Sequence, residues 1–169
     1  MTGEVWLILG GARSGKTRRG LAIAGGYPSR VYIATAEARD AEMQARIAHH
    51  RAERGVEWKT VEVPLDLCEA LRNADGAGTV VLVDCLTLWL SNLVERERSV
   101  EAETALLAET LCALSATVIL ISNEVGLGIV PDNALARKFR DAQGRLNQAI
   151  AALADHVELV VAGLPLKIK

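Results

Sequence analysis

Gly10-Gly11-Ala12-Arg13-Ser14-Gly15-Lys16-Thr17 decides the fold of this chain. The stretch satisfies G-x-x-x-x-G-K-[ST] in full, and its flanks are those the motif requires. Val5–Leu9 before it is a short continuous apolar run, as a strand covered on both faces needs. From Gly15 to about Ala24 the sequence is helix-compatible, and Gly25-Gly26-Tyr27-Pro28 breaks it. Glycines let backbone N–H groups turn inward on phosphate oxygens without a Cβ in the way. The following helix N-terminus adds partial positive charge. Lys16 is then expected to reach β and γ oxygens, and the Thr17 hydroxyl to ligate Mg²⁺. The nucleotide-binding set at this loop is Gly10, Gly11, Ala12, Arg13, Ser14, Gly15, Lys16 and Thr17. A glycine-rich turn without a ligand is the alternative, and motif plus context weigh against it. The motif does not decide whether Arg13 touches phosphate or lies on the surface.

Working outward, strand-like and helix-like stretches alternate. Val31–Thr35, Trp58–Val63, Thr79–Val83, Thr117–Ile121 and Val157–Ala162 read as strands. Helices are expected over Asp40–Arg54, Asp66–Asn73, Leu86–Val94, Glu101–Leu114 and Asn133–Asp155. Gly163-Leu164-Pro165 reads as a turn into a last short strand, Leu166–Lys169. The pattern predicts a three-layer α/β fold, a mostly parallel sheet with helices on both faces and an antiparallel C-terminal edge hairpin. At 169 residues, with no linker or repeat, one domain over 1–169 is expected.

The formal net charge of −2 gives no general attraction to nucleic acid, so phosphate-binding charge must be local. No apolar run approaches the roughly 20 residues of a membrane span, so no membrane span is expected. The N-terminus carries no charged leader, and Cys68, Cys85 and Cys112 show no C-x-x-C pairing. The expectation is a cytoplasmic protein whose three cysteines are core thiols.

In an open parallel sheet, ligands sit outside the carboxyl ends of the strands. The residues leaving those ends are the phosphate loop, Thr35-Ala36-Glu37, Asp84, Asn123-Glu124 and Gly163, with Glu62 added if its strand is parallel. Asp84 ends the apolar run Val80–Val83, the position of an acid that holds Mg²⁺ through water. Each of these polar residues, taken singly, is equally well a cap or turn former.

Two adjacent histidines fall on the Asp40–Arg54 helix and are not equivalent. With Met43 at 0° and steps of about 100° per residue, His50 lies near −20°, between Arg46 and Arg54. His49 is about 100° away, beside Glu42 and Glu53, on a solvated face. Two flanking guanidinium groups disfavour a protonated imidazole, and a neutral imidazole is a nucleophile. From helix geometry alone a half-buried structural histidine is the more economical reading of His50. His156 reads as a helix C-terminal residue facing the dipole.

These pieces together resemble a family. The phosphate loop is followed by Tyr32-Ile33-Ala34-Thr35-Ala36, then Asp40, Glu42-Met43, Arg46-Ile47, His50 and Arg54, then Trp58, Thr60 and Glu62. Asp84-Cys85-Leu86-Thr87 and Asn123-Glu124-Val125-Gly126-Leu127-Gly128-Ile129-Val130-Pro131 come next, then Arg137, Phe139-Arg140-Asp141 and Gly144-Arg145-Leu146-Asn147-Gln148. In combination these resemble the bifunctional adenosylcobinamide kinase / adenosylcobinamide-phosphate guanylyltransferase family of cobalamin biosynthesis. The likeness spans nearly the whole chain and is weakest over about Leu88–Ala116.

The resemblance implies a RecA-like fold and two reactions. A nucleoside triphosphate, ATP or GTP, phosphorylates the aminopropanol hydroxyl of adenosylcobinamide. GMP from GTP then passes to that phosphate and pyrophosphate leaves. It implies a guanylyl–histidine intermediate at His50, with Lys16 as the other catalytic residue. It implies nucleotide contacts from Thr35, Ala36, Glu37, Arg51, Ala52, Glu53, Arg54, Glu62 and Asp84, and Mg²⁺ at Thr17 and Asp84. It also implies a homotrimer. The Asn123–Pro131 loop and the Arg137–Asn147 face are candidates for the corrinoid or for subunit contacts. Two alternatives remain open: a generic ATP-dependent P-loop kinase with a structural His50, and a RecA-like binding module without transfer chemistry.

Overall fold

The computed structural model describes residues 3–37 and 57–169. The helix expected over Asp40–Arg54, and with it His49, His50, Arg51, Ala52, Glu53 and Arg54, lies outside the described residues.

One seven-stranded sheet organises the described residues. Its strands are β1 (Val5–Gly10), β2 (Ser29–Ala34), β3 (Lys59–Glu62), β4 (Thr79–Asp84), β5 (Thr117–Asn123), β6 (His156–Val161) and β7 (Leu164–Lys167). The spatial order is β3-β2-β4-β5-β1-β6-β7. Every neighbouring pair is parallel except β6 and β7, which are antiparallel. The helices are α1 (Lys16–Ala24), α2 (Leu67–Asn73), α3 (Leu86–Glu95), α4 (Val100–Ala113) and α5 (Ala134–Leu153).

The apolar runs explain the layers. Val80, Val81, Leu82 and Val83 are all fully buried, which only a strand covered on both faces allows. Alternate residues go to different cores. Val81 and Val83 join Leu7, Ile33, Val118 and Leu120 against α2, α3, α4 and α5. Val80 and Leu82 join Ile8, Tyr32, Ile119 and Ile121 on the opposite face, where α1 packs. Helix ends are closed locally: Asn133 Oδ1 accepts from the N–H groups of Leu135 and Ala136, and Ser99 Oγ from that of Ala102.

Three expectations are corrected. The last strand begins at Leu164, not Leu166, because the turn is the two-residue loop Ala162-Gly163 between the paired residues Val161 and Leu164. Both loop residues have positive φ, 51° and 81°, which matches the twist of a tight hairpin. Pro165 is tolerated because β7 is the edge strand. His156 is the first residue of β6 rather than a helix terminus, and its ring stacks on Trp6 at a centroid distance of 3.9 Å. Cys68 and Cys85 are buried, but Cys112 is exposed, one position round α4 from the buried Leu111.

Candidate functional site

Because β1 to β5 run parallel, their carboxyl ends share one edge, and the chain leaving each end lies there. The loop Gly11–Gly15 joins β1 directly to α1. Its backbone takes the conformations that turn N–H groups inward: Arg13 and Gly15 have φ of 55° and 101°. Gly10 is fixed by crowding, since a Cβ there would stand 2.5 Å from the Val160 carbonyl oxygen and 2.6 Å from Ser14 Oγ. Gly15 caps α1 with no side-chain bond, so the first-turn N–H groups face the loop.

The residues of the loop differ in their engagement. Lys16 is buried, and its Nζ donates to the Gly11 carbonyl at 2.5 Å, folding the ammonium back over the loop. Ser14 Oγ is buried with no hydrogen-bond partner among the described residues. Gly11, Ala12 and Arg13 are exposed. The far side of the loop is tied to the C-terminal hairpin by Gly163 N–H to the Ser14 carbonyl, 2.8 Å. Gly163 is thus brought to the loop, as its place at a strand end led one to expect.

Asp84 lies opposite. The Thr17 hydroxyl donates to Asp84 Oδ2 at 2.8 Å, joining α1 to β4. The Tyr32 hydroxyl donates to the same oxygen, also at 2.8 Å. The peptide from Asp84 to Cys85 is cis. Burial, and after it the Asp84 charge, push the Cys85 thiol up to about 11, so it stays neutral beside the carboxylate.

The remaining predicted residues divide. Glu62 ends β3, which is parallel to β2 and pairs it with Ala34, so it does reach the shared edge. Glu37 extends from the β2 end, and its carboxylate pairs with Arg96 at 2.6 Å. Thr35 is fully buried and committed to the fold. Its hydroxyl donates to the Cys85 carbonyl at 2.7 Å and accepts from the Cys85 N–H at 2.8 Å. Its carbonyl accepts from Asn92 Nδ2, which also donates to the Pro64 carbonyl, both at 2.9 Å. Thr35 and Asn92 therefore brace the ends of β2, β3 and β4 against one another. Sequence reasoning passed over Asn92 and the role of Tyr32. The only local signal for Asn92 is a polar residue on an otherwise apolar face of α3.

A second concavity lies where β5 runs into the loop before α5. It encloses about 540 Å³ and is lined mainly by Val94, Val125, Pro131, Leu135, Ala136 and Phe139. Leu127, Ile129 and Val130 of the same loop are exposed. The loop leaves the edge that carries the Gly10–Thr17 loop, since the Glu124 N–H donates to the Gly10 carbonyl at 3.1 Å. Among the described residues no three His, Cys, Asp or Glu side chains are grouped to hold a metal by themselves. No described helix is long and apolar enough to cross a membrane.

Comparisons with known proteins bear on the fold and on the family. A prototypical ATPase from the type III secretion system of pathogenic bacteria superposes with a TM-score of 0.60 at 13% identity, covering 98% of this chain and 57% of that one. At that identity the likeness speaks for the fold, a RecA-like α/β sheet, and for nothing further. The bifunctional adenosylcobalamin biosynthesis protein CobP of Pseudomonas aeruginosa is 49% identical over 166 residues, 96% of each chain. The bifunctional adenosylcobalamin biosynthesis protein CobU of Salmonella typhimurium is 42% identical over 179 residues, covering 96% of this chain and 98% of its own. Residues 6–168 match the family described as cobinamide kinase / cobinamide phosphate guanyltransferase, so the phosphate loop, Asp84 and the Asn123–Pro131 loop all fall within the match, and the chain belongs to that family of cobalamin biosynthesis.

Proposed function

We propose that a single nucleotide site, built on the Gly10–Thr17 loop, serves both reactions of this enzyme. Adenosylcobinamide is phosphorylated on its aminopropanol hydroxyl by ATP or GTP. GMP is then transferred from GTP to the new phosphate through His50, and pyrophosphate is released. The observation that carries the reading is the Thr17–Asp84 hydrogen bond beneath the loop, which sets a hydroxyl and a carboxylate together where the phosphates would lie.

The residues fit Mg²⁺. The Thr17 hydroxyl and the Asp84 carboxylate are hard oxygen donors of the kind this cation prefers, and together they would hold it. The Thr17 proton is directed at Asp84, which leaves its lone pairs for the cation. When bound, the cation neutralises charge on the β and γ oxygens. Lys16 exchanges the Gly11 carbonyl for phosphate oxygens and stabilises either the moving γ-phosphoryl group or the departing pyrophosphate. The uncapped N-terminus of α1 adds its N–H groups. His50 attacks the α-phosphorus, the α–β bridge bond breaks, and the corrinoid phosphate oxygen then displaces the imidazole. Arg51, Ala52, Glu53, Arg54, Ala36, Glu37 and Glu62 contribute to the nucleotide site by resemblance.

The apolar groove beside the 124–133 loop is the candidate seat of the corrinoid. The exposed Leu127, Ile129 and Val130 support assembly as a homo-oligomer, a trimer by resemblance. The compartment in this reading is the cytoplasm.

The test uses α-labelled GTP and Mg²⁺ without corrinoid. A covalent GMP adduct, labile to acid and stable to base, is expected in the wild type and absent from His50→Ala. An undiminished adduct in His50→Ala removes the histidine from its role. Turnover of adenosylcobinamide with no adduct and no pyrophosphate would favour a plain kinase.

A further inference from the structure

Asp84 accepts two hydroxyl protons on one oxygen, and the donors come from different layers. Thr17 reaches Oδ2 from α1, and Tyr32 reaches it from the sheet, each at 2.8 Å. The register explains the second contact. Ala34 pairs with Asp84 and Tyr32 with Leu82, so Tyr32 lies two residues back on the adjacent strand with its ring on the α1 face. The ring is buried, and Trp58 packs edge-on against it at a centroid distance of 6.0 Å. A ring so confined holds its hydroxyl on Asp84 Oδ2.

The terminal torsion of an aspartate is broad and soft. Left to Thr17 alone, the Asp84 carboxylate would be free to turn, and the Thr17 hydroxyl would turn with it. A second donor on the same oxygen removes that freedom. We infer that Tyr32 is a positioning residue for the divalent cation: it holds Asp84 so that the Thr17 proton stays on Oδ2 and the Thr17 lone pairs stay turned toward the cation. This rests on the reading that Thr17 and Asp84 hold Mg²⁺, and it adds a residue that acts through Asp84.

The experiment is equilibrium binding of a fluorescent GTP analogue to the full chain, in chelator and across a Mg²⁺ titration. Tyr32→Phe keeps the ring and deletes the hydroxyl. Its affinity in chelator should match the wild type, and the Mg²⁺ concentration that gives half of the affinity gain should rise about tenfold, as expected for losing a hydrogen bond to a charged group. Tyr32→Leu deletes the ring as well, and it should show the same Mg²⁺ shift together with a lower melting temperature. A Tyr32→Phe protein with the wild-type Mg²⁺ response overturns the inference. So does a Mg²⁺ shift that appears in Tyr32→Leu alone, which would make it a packing effect. A wild type whose affinity ignores Mg²⁺ overturns the cation reading beneath it, so the two failures are distinguishable.

Discussion

Thr17 on α1 and Asp84 at the end of β4 are joined by a 2.8 Å hydrogen bond although 67 positions separate them in sequence. The contact exists because β4 lies two strands from β1, with β5 between, and α1 folds back over all three. It therefore reports both the fold and the site.

Asp84→Asn keeps the volume and removes the charge. On the proposed Mg²⁺ role of Asp84, the amide cannot balance the cation, and kcat/KM of both the kinase and guanylyl-transfer reactions should fall on the order of 100-fold or more. The melting temperature should move by only a few degrees, because the substitution is isosteric. Steady-state assays with adenosylcobinamide and with its phosphate measure the two losses separately. Loss of one activity alone would show that the reactions do not share the site.

Thr35→Val tests the brace. The change is nearly isosteric but leaves the N–H and carbonyl of Cys85 without the hydroxyl that now serves both. The expected cost is about 2–3 kcal/mol of folding stability, since two buried backbone groups lose their partner. Thr35→Ser should recover most of it, as the hydroxyl returns and only a methyl is missing. Denaturant melts of both variants measure this. In folded protein, GTP affinity should change little, whereas a large loss of affinity with unchanged stability would make Thr35 a direct contact.

These residues also show what was legible in the chain. The phosphate loop was readable because each of its requirements is local: glycine where Gly10 meets the Val160 carbonyl, then a lysine and a hydroxyl at a new helix start. Asp84 was readable because it ends a run of four apolar residues. Tyr32 and Asn92 were not, because their partners are 52 and 57 positions away. Those contacts follow from the strand order β3-β2-β4, which periodicity along a chain does not encode. Thr35 stood at a strand end that points to the site, yet its hydroxyl turns to the neighbouring strand's exit. Alternation gives the face of a strand residue, but beyond the last paired residue nothing local fixes it. The last strand starts two residues earlier than expected because Pro165 reads locally as a turn former, whereas an edge strand accepts it.

Arg19 and Glu158 give a pH prediction. Arg19 grips Glu158 with two bonds of 2.7 Å, from Nε and Nη2, and so ties α1 to β6. Hydrogen bonds from Arg19, partly opposed by burial, hold the Glu158 carboxyl below its ordinary 4.5. A group with a depressed folded value stabilises the fold above its unfolded value, and that contribution is lost as pH falls through the folded one. Wild-type stability should therefore decline as pH drops below about 4.5, in part through this pair. Glu158→Gln should be less stable at neutral pH by about 1–2 kcal/mol and show a shallower acid decline. Parallel melting curves of the two proteins would remove the pair from the acid response.

The cysteines separate burial from reactivity, because only the thiolate attacks an alkylating reagent. Cys85 is buried against Asp84, its thiol pushed up to about 11, and Cys68 is buried with its thiol raised chiefly by burial. Cys112 is exposed on α4. Iodoacetamide at about pH 8 should therefore add one group per native chain, at Cys112, because the other two thiols are both inaccessible and protonated. Peptide mapping by mass spectrometry locates the adduct, and the unfolded chain should take up three. Bound GTP should leave Cys112 labelling unchanged, because α4 covers the sheet on the face away from α1. Labelling of native Cys85 at the rate of Cys112 would mean that the end of β4 opens readily, and the Thr35 brace would then not hold as described.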